Sequence, residues 1–452
     1  MQAVSRSAWF GRVAMALVGW LLWLSQPVFA QSIGEVEFSR GAGVAQSPGR
    51  LPRTMGKGLP LAEGDRLTTA EGAMAIVKLQ DGTRLTLRPN SELIMQSYRF
   101  DGSVQQDNNM IMQLLRGGFR AITGLISKGS PNAAKIQTVT ATVGIRGTDF
   151  DVRLCGPECK VESAKVTEKP RVNTVIASAR LLDAKGELSA LDGQGHKRNL
   201  VDGGSVYPGD TVLTGPGARG VLAFRDESRL TLGANTQFKI DSFVFDKKAP
   251  AEGRFLVSLV QGSMRALTGL IGKMNNRNVG FITPTATIGI RGTGLDLDCP
   301  TTAACNFFTW LGTIEVKPNG ETALQVLEAG QGLYVGKDGI RPIPGPTLED
   351  LPRPDQVPVN MEQLFASGNV SPDDEGLFVF VRDGHIQITS LTQVLDLGRG
   401  ETGYAGSDGR TGRPEEMPLF IRFDNVPLPN SPNPMLLNLL NESVGGSNFL
   451  CR

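Results

Sequence analysis

Hydrophobic and polar residues alternate over short stretches of this chain, and turn residues separate the stretches. The alternating runs 75–79 and 84–87 flank the dipeptide Asp81-Gly82. A turn dipeptide between two such runs is a strong signal for a β-hairpin. A second pair of runs flanks Asp226-Glu227, where the glycine is lost, so we expect a longer turn or a different turn type there. The pattern predicts short β-strands joined by tight turns.

The same pattern occurs twice, at a constant offset of 145 positions. Residues 64–148 align without a gap to residues 209–293, and roughly 32 of the 85 aligned positions are identical. This is the signature of a tandem domain duplication. We place a first repeat at residues 31–165 and a second repeat at residues 172–338. Whatever one copy does by its fold, the other is expected to do.

Composition supports an all-β fold. The chain has 452 residues, of which 40% are hydrophobic, and it contains 55 Gly and 27 Pro but only 6% aromatic residues. That length can bury cores in two or three domains, and the Gly and Pro content is typical of turn-rich chains of short strands. We therefore predict tandem units of short twisted strands, able to stack as a solenoid-like array, with a partial third β unit.

The charge balance excludes one class of partner. The formal net charge is +1, and Lys and Arg form no run along the chain. A nucleic-acid-binding protein usually carries a basic face or stripe. We therefore expect no nucleic acid among the partners.

The first thirty residues have the form of a secretory signal. Arg6 and Arg12 precede an apolar run at 13–24, and small residues stand at −3 and −1 before a cleavage point after Ala30. The alternative is an uncleaved anchor, but the run is short for a bilayer span of about 20 residues. We expect a chain exported to the periplasm, with an extracellular location as the alternative, and no stable membrane span after signal cleavage.

Cysteine positions agree with export. Cys155 and Cys159 follow a Gly-Ile-Arg-Gly-Thr motif in the first repeat, and Cys299 and Cys305 occupy nearly equivalent places in the second. An oxidising compartment favours a disulfide within each pair. A metal site is the alternative, which the wide spacings and the presence of only two His residues disfavour. Cys451 is left over near the end, either as a free thiol or for an intermolecular bond.

The Gly-Ile-Arg-Gly-Thr motifs provide the residues most suited to a functional test. They place Arg146, Gly147 and Thr148 in the first repeat, and Arg291, Gly292 and Thr293 in the second. One interpretation is an exposed cation at a sharp bend that binds a partner's carboxylate. The other, which the duplication favours, is an arginine that ties strand ends to backbone carbonyls.

The ordered motifs resemble the FecR domain in both repeats. They are Gly-Asp (64–65, 209–210), Arg-Leu-Thr-Leu (84–87, 229–232), Leu-x-x-Gly-x-x-Arg (114–120, 259–265) and the Gly-Ile-Arg-Gly-Thr motifs. The resemblance implies an all-β periplasmic module. In the founding members, this module senses a ligand-loaded outer-membrane transporter and signals to an extracytoplasmic-function sigma factor.

The resemblance also sets the functional expectation. Only about a dozen residues precede the apolar run, so we expect no cytoplasmic anti-sigma segment. The predicted role is a protein-binding module in envelope signalling, whose partner is another envelope protein, either a sensor or a transporter domain. The alternative is a structural or assembly component of a surface or secretion apparatus.

Three regions follow the second repeat. Residues 339–372 form a proline-rich connector, extended by composition and not expected in a packed core, in which 361–366 has a short helical pattern. Residues 373–426 form a C-terminal β unit, whose hairpin at 376–405 either completes the first repeat or is the remnant of a third. Residues 427–452 form a tail that either frays or docks through a short amphipathic helix at 435–440.

No motif for catalysis is present. The two His residues lie far apart, and the sequence contains neither a nucleophile elbow nor a phosphate-binding glycine-rich loop. We therefore expect a non-enzymatic protein without a cofactor or a metal.

Overall fold

The computed structural model describes residues 32–103, 107–129, 133–173, 177–365, 370–391, 393–422, 426–432 and 434. The predicted signal at 1–30, the helix at 435–440 and Cys451 lie outside these residues. Strands account for about 53% of the structure and helices for about 10%. The predicted all-β class is confirmed.

Two 15-stranded sheets and one two-stranded sheet make up the described structure. We call the first large sheet the first unit. It takes eleven strands from the first repeat: β1 (Ser32–Arg40), β2 (Gly43–Gln46), β3 (Arg53–Thr54), β4 (Pro60–Ala62), β5 (Arg66–Thr69), β6 (Met74–Leu79), β7 (Arg84–Leu87), β8 (Glu92–Arg99), β9 (Asn109–Ile122), β10 (Ala134–Gln137) and β11 (Thr142–Cys155).

We call the second large sheet the second unit. All of its strands lie between residues 179 and 343. It comprises β13 (Ala179–Lys185), β14 (Leu188–Leu191), β15 (Lys197–Leu200), β16 (Ser205–Val206), β17 (Thr211–Thr214), β18 (Arg219–Phe224), β19 (Arg229–Leu232), β20 (Gln237–Val244), β21 (Arg254–Leu267), β22 (Val279–Ile282), β23 (Ala286–Thr301), β24 (Ala304–Pro318), β25 (Gln325–Glu328), β26 (Gly332–Gly336) and β27 (Gly339–Ile343).

The remaining strands come late in the chain, apart from β12 (Arg171–Val172), which pairs with β32 (Glu416–Met417). They are β28 (Gly376–Thr389), β29 (Val394–Gly398), β30 (Thr402–Ala405) and β31 (Thr411–Gly412). The helices are α1 (Leu125–Gly129), α2 (Pro157–Ser163), α3 (Leu270–Met274), α4 (Met361–Phe365) and α5 (Leu419–Arg422), with 3₁₀ turns at Pro250–Glu252, Asn276–Asn278 and Pro354–Gln356. No helix among the described residues combines the length and apolarity needed to cross a bilayer.

Glycine corners fold each large sheet around its own core. In β11, Val143 and Ile145 are buried before the corner, and Phe150 and Val152 are buried after it. The buried positions change from odd to even numbers because the pairing shifts at the corner, where Gly147 has φ 58°. Side chains alternate between faces along a strand, so this shift keeps both halves of β11 directed into one core. All four residues belong to the same hydrophobic cluster.

The hairpin at 376–405 completes the first repeat. β28 runs antiparallel to β11 from Thr142↔Thr389 to Cys155↔Gly376. β29 and β30 then pair with opposite halves of β28. In the second unit, β24 pairs with β23 along its length, and β25 and β26 pair with the two halves of β24. The late strands therefore stand where the second repeat has its own closing strands, and the second unit is an insertion within the first.

The turn at Asp226-Glu227 is not the longer turn or different type that loss of glycine suggested. Glu227 adopts φ 70°, a left-handed conformation like that of Gly82 at 86°. The carboxylate of Asp226 accepts hydrogen bonds from the amide and hydroxyl of Ser228 at 3.1 and 2.8 Å, as Asp81 does from Thr83. These contacts hold the same turn in both repeats, so the glycine is dispensable.

The proline-rich connector lies against the second unit instead of being free of the packed structure. Arg265 donates to the carbonyls of Leu348 and Leu351 at 2.9 and 2.6 Å, and Arg229 donates to that of Val357 at 3.0 Å. Arg353 lies over the ring of Trp310 at 4.0 Å. The first five residues of the connector form β27, which pairs with β26, and arginine side chains from the second unit bind carbonyls further along it. The short helix expected within it is present as α4.

A buried ion cluster, formed by Arg180, Glu401 and Arg413, joins the two units. Arg180 in β13 donates to both carboxylate oxygens of Glu401 at 2.7 Å, and both side chains are at most 1% exposed. Arg413 lies 3.7 Å from the same carboxylate. Burial alone would raise the pKa of Glu401, but the two guanidinium groups hold that pKa below its usual range. The cluster fixes the second unit against the closing hairpin of the first.

Substituting Gly384 tests whether β28 belongs to the first unit. Gly384 has φ 89°, and a Cβ there would lie 2.3 Å from the carbonyl oxygen of Gly147. We expect Gly384→Ala to lower the free energy of unfolding by more than the roughly 1–2 kcal/mol that a left-handed alanine costs, because the corner must also shift. Hydrogen exchange should show lost protection in β9, β11 and β28.

Gly320→Ala is the matched control, since Gly320 has φ 82° and nothing lies within 4 Å of the position that a Cβ would take. This variant should lose only the stability that a left-handed alanine costs, roughly 1–2 kcal/mol. Equal losses in both variants, or lost protection confined to the second unit, would contradict the assignment of β28.

Replacing Glu401 by glutamine tests the buried ion cluster. Glu401→Gln leaves Arg180 buried without its counter-charge, and loss of one partner from a buried pair costs about 3–5 kcal/mol. The matched change Glu92→Gln affects the more exposed Arg66–Glu92 pair, for which at most about 1 kcal/mol is expected. Denaturant unfolding of both variants gives the comparison, and equal small losses would show that the cluster does not hold the units together.

Candidate functional site

The first Gly-Ile-Arg-Gly-Thr motif forms the glycine corner of β11. Thr148 is buried; its amide donates to the Thr123 hydroxyl oxygen at 2.8 Å, and its carbonyl accepts from the Thr123 amide at 3.0 Å. Gly147 supplies the left-handed turn. Arg146 is half-buried, and its guanidinium makes no hydrogen bond or ion pair with any described residue. The corner is therefore rigid, while its arginine is not used to build it.

The second motif has the same backbone but a different environment for its arginine. Gly292 has φ 62°, and Thr293 is buried, bonded to Thr268 as Thr148 is to Thr123. Arg291 donates to Glu315 at 2.5 Å on the surface. Glu315 lies opposite Gly289 in the strand pairing, the place that Gln387 occupies opposite Gly144 in the first unit. Because the first unit has Gln387 where the second unit has Glu315, Arg146 lacks the carboxylate that pairs with Arg291.

Arginines that bind backbone carbonyls occur at another equivalent pair of positions in the duplication, Arg120 and Arg265. Arg120 donates to Asp151 at 2.6 Å and Arg265 to Asp296 at 3.0 Å, and all four side chains are buried. Arg120 also donates to the backbone carbonyl of Val426, and Arg265 donates to those of Leu348 and Leu351. The Leu-x-x-Gly-x-x-Arg motif was the sequence signal for these residues, since it places an arginine two residues before the end of a long strand.

Both predicted disulfides are confirmed. Cys155–Cys159 joins the end of β11 to α2, and Cys299–Cys305 joins β23 to β24. All four cysteines are buried. Among the described residues, no group of three or more His, Cys, Asp or Glu is arranged to hold a metal ion.

The corner of the first unit faces the second unit across a cleft of about 500 Å³, the inter-unit cleft. The first unit contributes residues of α1 and the corners of β11 and β28, and the second contributes β15. The lining residues are Ser127, Lys128, Gly129, Arg146, Gly147, Lys197, Arg198, Asn199, Val201, Asp383 and Gly384. Four of these are cationic and one is acidic. The cleft is thus an electropositive site that exists only because the two units dock.

A larger groove of about 910 Å³ lies beside the first disulfide, but its best-placed cations already have acidic neighbours. Arg153 donates to Glu162 at 2.6 Å and lies over the ring of Phe420. Burial lowers the pKa of Arg88 to about 9, with Arg153 adding to the effect and Glu162 opposing it. Four cations and three acidic residues line this groove, whereas four cations and one acidic residue line the inter-unit cleft, so the groove is the less electropositive of the two sites.

Asp149, directly after the first motif, is an unusual carboxylate. Its Oδ1 atom is buried with no hydrogen-bond partner among the described residues. Burial raises its pKa to about 6, against the opposing effect of Arg382. Its neighbour across the strand pair is Asp383, whereas the second unit has Gly294 and Leu311 at this place. The two carboxylates are therefore specific to the first unit.

The geometry defines a duplicated, disulfide-bonded all-β protein in which the second copy is inserted into the first. A family model described as FecR protein matches residues 65–166 and 210–315. These segments lie in the two repeats, so each repeat contains a FecR-like copy.

Solved structures give a distant similarity. Two crystal structures of a candidate anti-sigma factor from Parabacteroides distasonis ATCC 8503 each match with 16% identity and a TM-score of 0.24. Each match covers 29% of this chain and 58% of that chain. This chain therefore spans a little over half the length of that protein. No curated protein gives a significant match.

The carboxylate of Asp149 predicts a pH effect on stability. Its folded pKa of about 6 is above the ordinary value of about 3.9, so the folded state binds the proton more tightly than the unfolded state. Stability is then lost as pH rises from about 4 through 6. Asp149→Asn should be more stable than the parent protein above about pH 6, with the difference shrinking towards about pH 4. Unfolding free energies measured across this range provide the check, and parallel pH profiles would contradict it.

Proposed function

We propose that this protein is an exported, non-enzymatic binding module that takes part in envelope signalling by holding another envelope protein. The partner is a membrane sensor or the signalling domain of an outer-membrane transporter. The match of both repeats to the FecR family supports this role. The two disulfides support a location outside the cytoplasm, where such bonds persist.

The observation that carries the proposal is the difference between the two motif arginines. A duplicated domain provides its own comparison, because the same motif arginine stands in two different environments. Arg291 is neutralised by Glu315, whereas Arg146 faces the inter-unit cleft without an acidic partner among the described residues. A cation kept unpaired beside other cations is suited to a charge that a partner brings.

A structural role is the second candidate, and the buried ion cluster favours it. Arg180 and Glu401 fix the units against each other, as a rigid spacer in a larger envelope assembly would require. A regulator and a spacer differ in their complexes, since a regulator binds one partner reversibly and a spacer remains in a large assembly.

Affinity capture from crosslinked cell envelopes tests the proposal. The tagged mature protein is captured, the recovered proteins are identified by mass spectrometry, and an unrelated exported protein with the same tag is the control. We expect one sensor or transporter, which then binds the purified protein reversibly at equal stoichiometry. Recovery of many subunits of one envelope machine, without reversible binding to any single subunit, would instead support the structural role.

A further inference from the structure

The inter-unit cleft has walls of two different kinds. One wall is the corner of the first unit, with Arg146 and Gly147 beside Lys128 at the end of α1. The other wall is β15, the terminal strand of the second unit's sheet. The volume of about 500 Å³ lies within the range of ordinary ligand sites, about 300–1,000 Å³. The cleft can therefore hold a short segment of another molecule between a charged corner and a strand edge.

The corner carries two cations, Arg146 and Lys128, and one acidic residue, Asp383. Neither Arg146 nor Lys128 has an ion-pair partner among the described residues. On the opposite wall, Arg198 is paired with Asp210, and exposed Lys197 lies 3.4 Å from Glu187. Because guanidinium and ammonium groups bind carboxylates in charge-assisted hydrogen bonds, Arg146 and Lys128 select for an acidic occupant.

The strand wall offers main-chain hydrogen bonds. β15 pairs with β14 on one side, from Leu191↔Lys197 to Leu188↔Leu200. On its other side it has no strand partner within the described parts of the chain. An unpaired strand edge accepts an extended peptide as an added strand. Lys197 and Arg198 on this edge discourage pairing with basic or identical strands but accept an acidic one.

We propose that the inter-unit cleft binds an extended acidic segment of the partner protein, which adds to the free edge of β15 and places its carboxylates on Arg146 and Lys128. This inference rests on the proposed protein-binding function and names the chemistry of the partner's contact. β15 spans four residues, or about 13 Å at the rise of a strand. Successive side chains of a strand point to opposite faces, so the recognised pattern is two acidic residues separated by one residue.

A labelled peptide provides the first test. The probe is a fluorescein-labelled decapeptide of alternating glutamate and valine, and the control peptide has lysine in place of glutamate. We expect the acidic peptide to bind the full protein in a salt-sensitive manner, measured by fluorescence anisotropy, and the basic peptide not to bind. Arg146→Glu should weaken the acidic peptide about tenfold to 100-fold, because it places like charges together.

Arg291→Glu is the matched control, since it makes the same change at the same motif position away from the cleft. It should leave peptide affinity within about twofold of the parent value. Equal weakening by the two variants, or none by Arg146→Glu, would overturn the assignment to the cleft. Unchanged thermal unfolding of Arg146→Glu would show that its effect is on binding.

Hydrogen exchange tests the strand addition without a substitution. Saturation with the acidic peptide should slow exchange of outward-facing amides in residues 197–200, and the same peptide should give no such protection in Arg146→Glu. Peptide binding without protection of β15 would exclude edge pairing. Displacement of the peptide by inorganic phosphate, at a concentration where chloride of equal ionic strength has no effect, would show a small-anion site and overturn the peptide proposal.

The outcomes separate this inference from the proposed function. Capture of one envelope partner that binds Arg146→Glu as tightly as the parent protein would leave the function standing and reject the cleft as its site. Binding of the acidic peptide as expected, with capture of many subunits of one machine, would retain the chemistry of the cleft and reject the signalling role.

Discussion

The pairing of β11 with β28 is the constraint on which the rest of the structure depends. Twelve residue pairs join the two strands along both sides of the glycine corner. Without β28, one of the two longest strands of the first repeat would present an unpaired edge, and β29, β30 and β31 would have no sheet to join. The pairing also returns the chain to the first unit after the second has been completed. The mutual position of the units, and hence the inter-unit cleft, follows from this return.

Buried arginines hold in position the segments that lie outside the strand pairing. Arg120 and Arg265 each combine a buried aspartate with carbonyls of the following segment, and Arg180 joins the units through Glu401. Such pairs contribute little net stability relative to apolar packing, because desolvation offsets the attraction. Their effect here is to fix positions. The five donors of an arginine lie in a rigid plane, so the surrounding oxygens must be arranged to match it. The pair of Arg180 and Glu401 in this way holds together the two units that line the cleft around Arg146.

Much of the fold could be predicted from the sequence because its signals are local. Alternating residues around Asp81-Gly82 and a constant offset between repeats predict hairpins and duplication, and neighbouring cysteines predict disulfides. The environment of Arg146 could not be predicted, because Gln387 and β15 reach it from distant parts of the chain. The motif is identical around Arg146 and Arg291, so local pattern alone cannot tell a neutralised arginine from an unpaired one. Glu227 shows the converse, because local hydrogen bonds between Asp226 and Ser228 keep the turn although its glycine is absent.

The insertion of one unit into the other imposes an order on biosynthesis. The second unit contains all of its strands in one continuous stretch, so it can fold as soon as that stretch has been made. The first unit must wait, because about 220 residues separate the end of β11 from the start of β28; at roughly 5–20 residues per second, ribosomal synthesis needs on the order of 10–45 s to supply them. Throughout that interval, the edge of β11 that will pair with β28 is unpaired, and other nascent chains can pair with it. A chaperone that binds the incomplete chain would therefore act mainly on the first repeat, although it is made first.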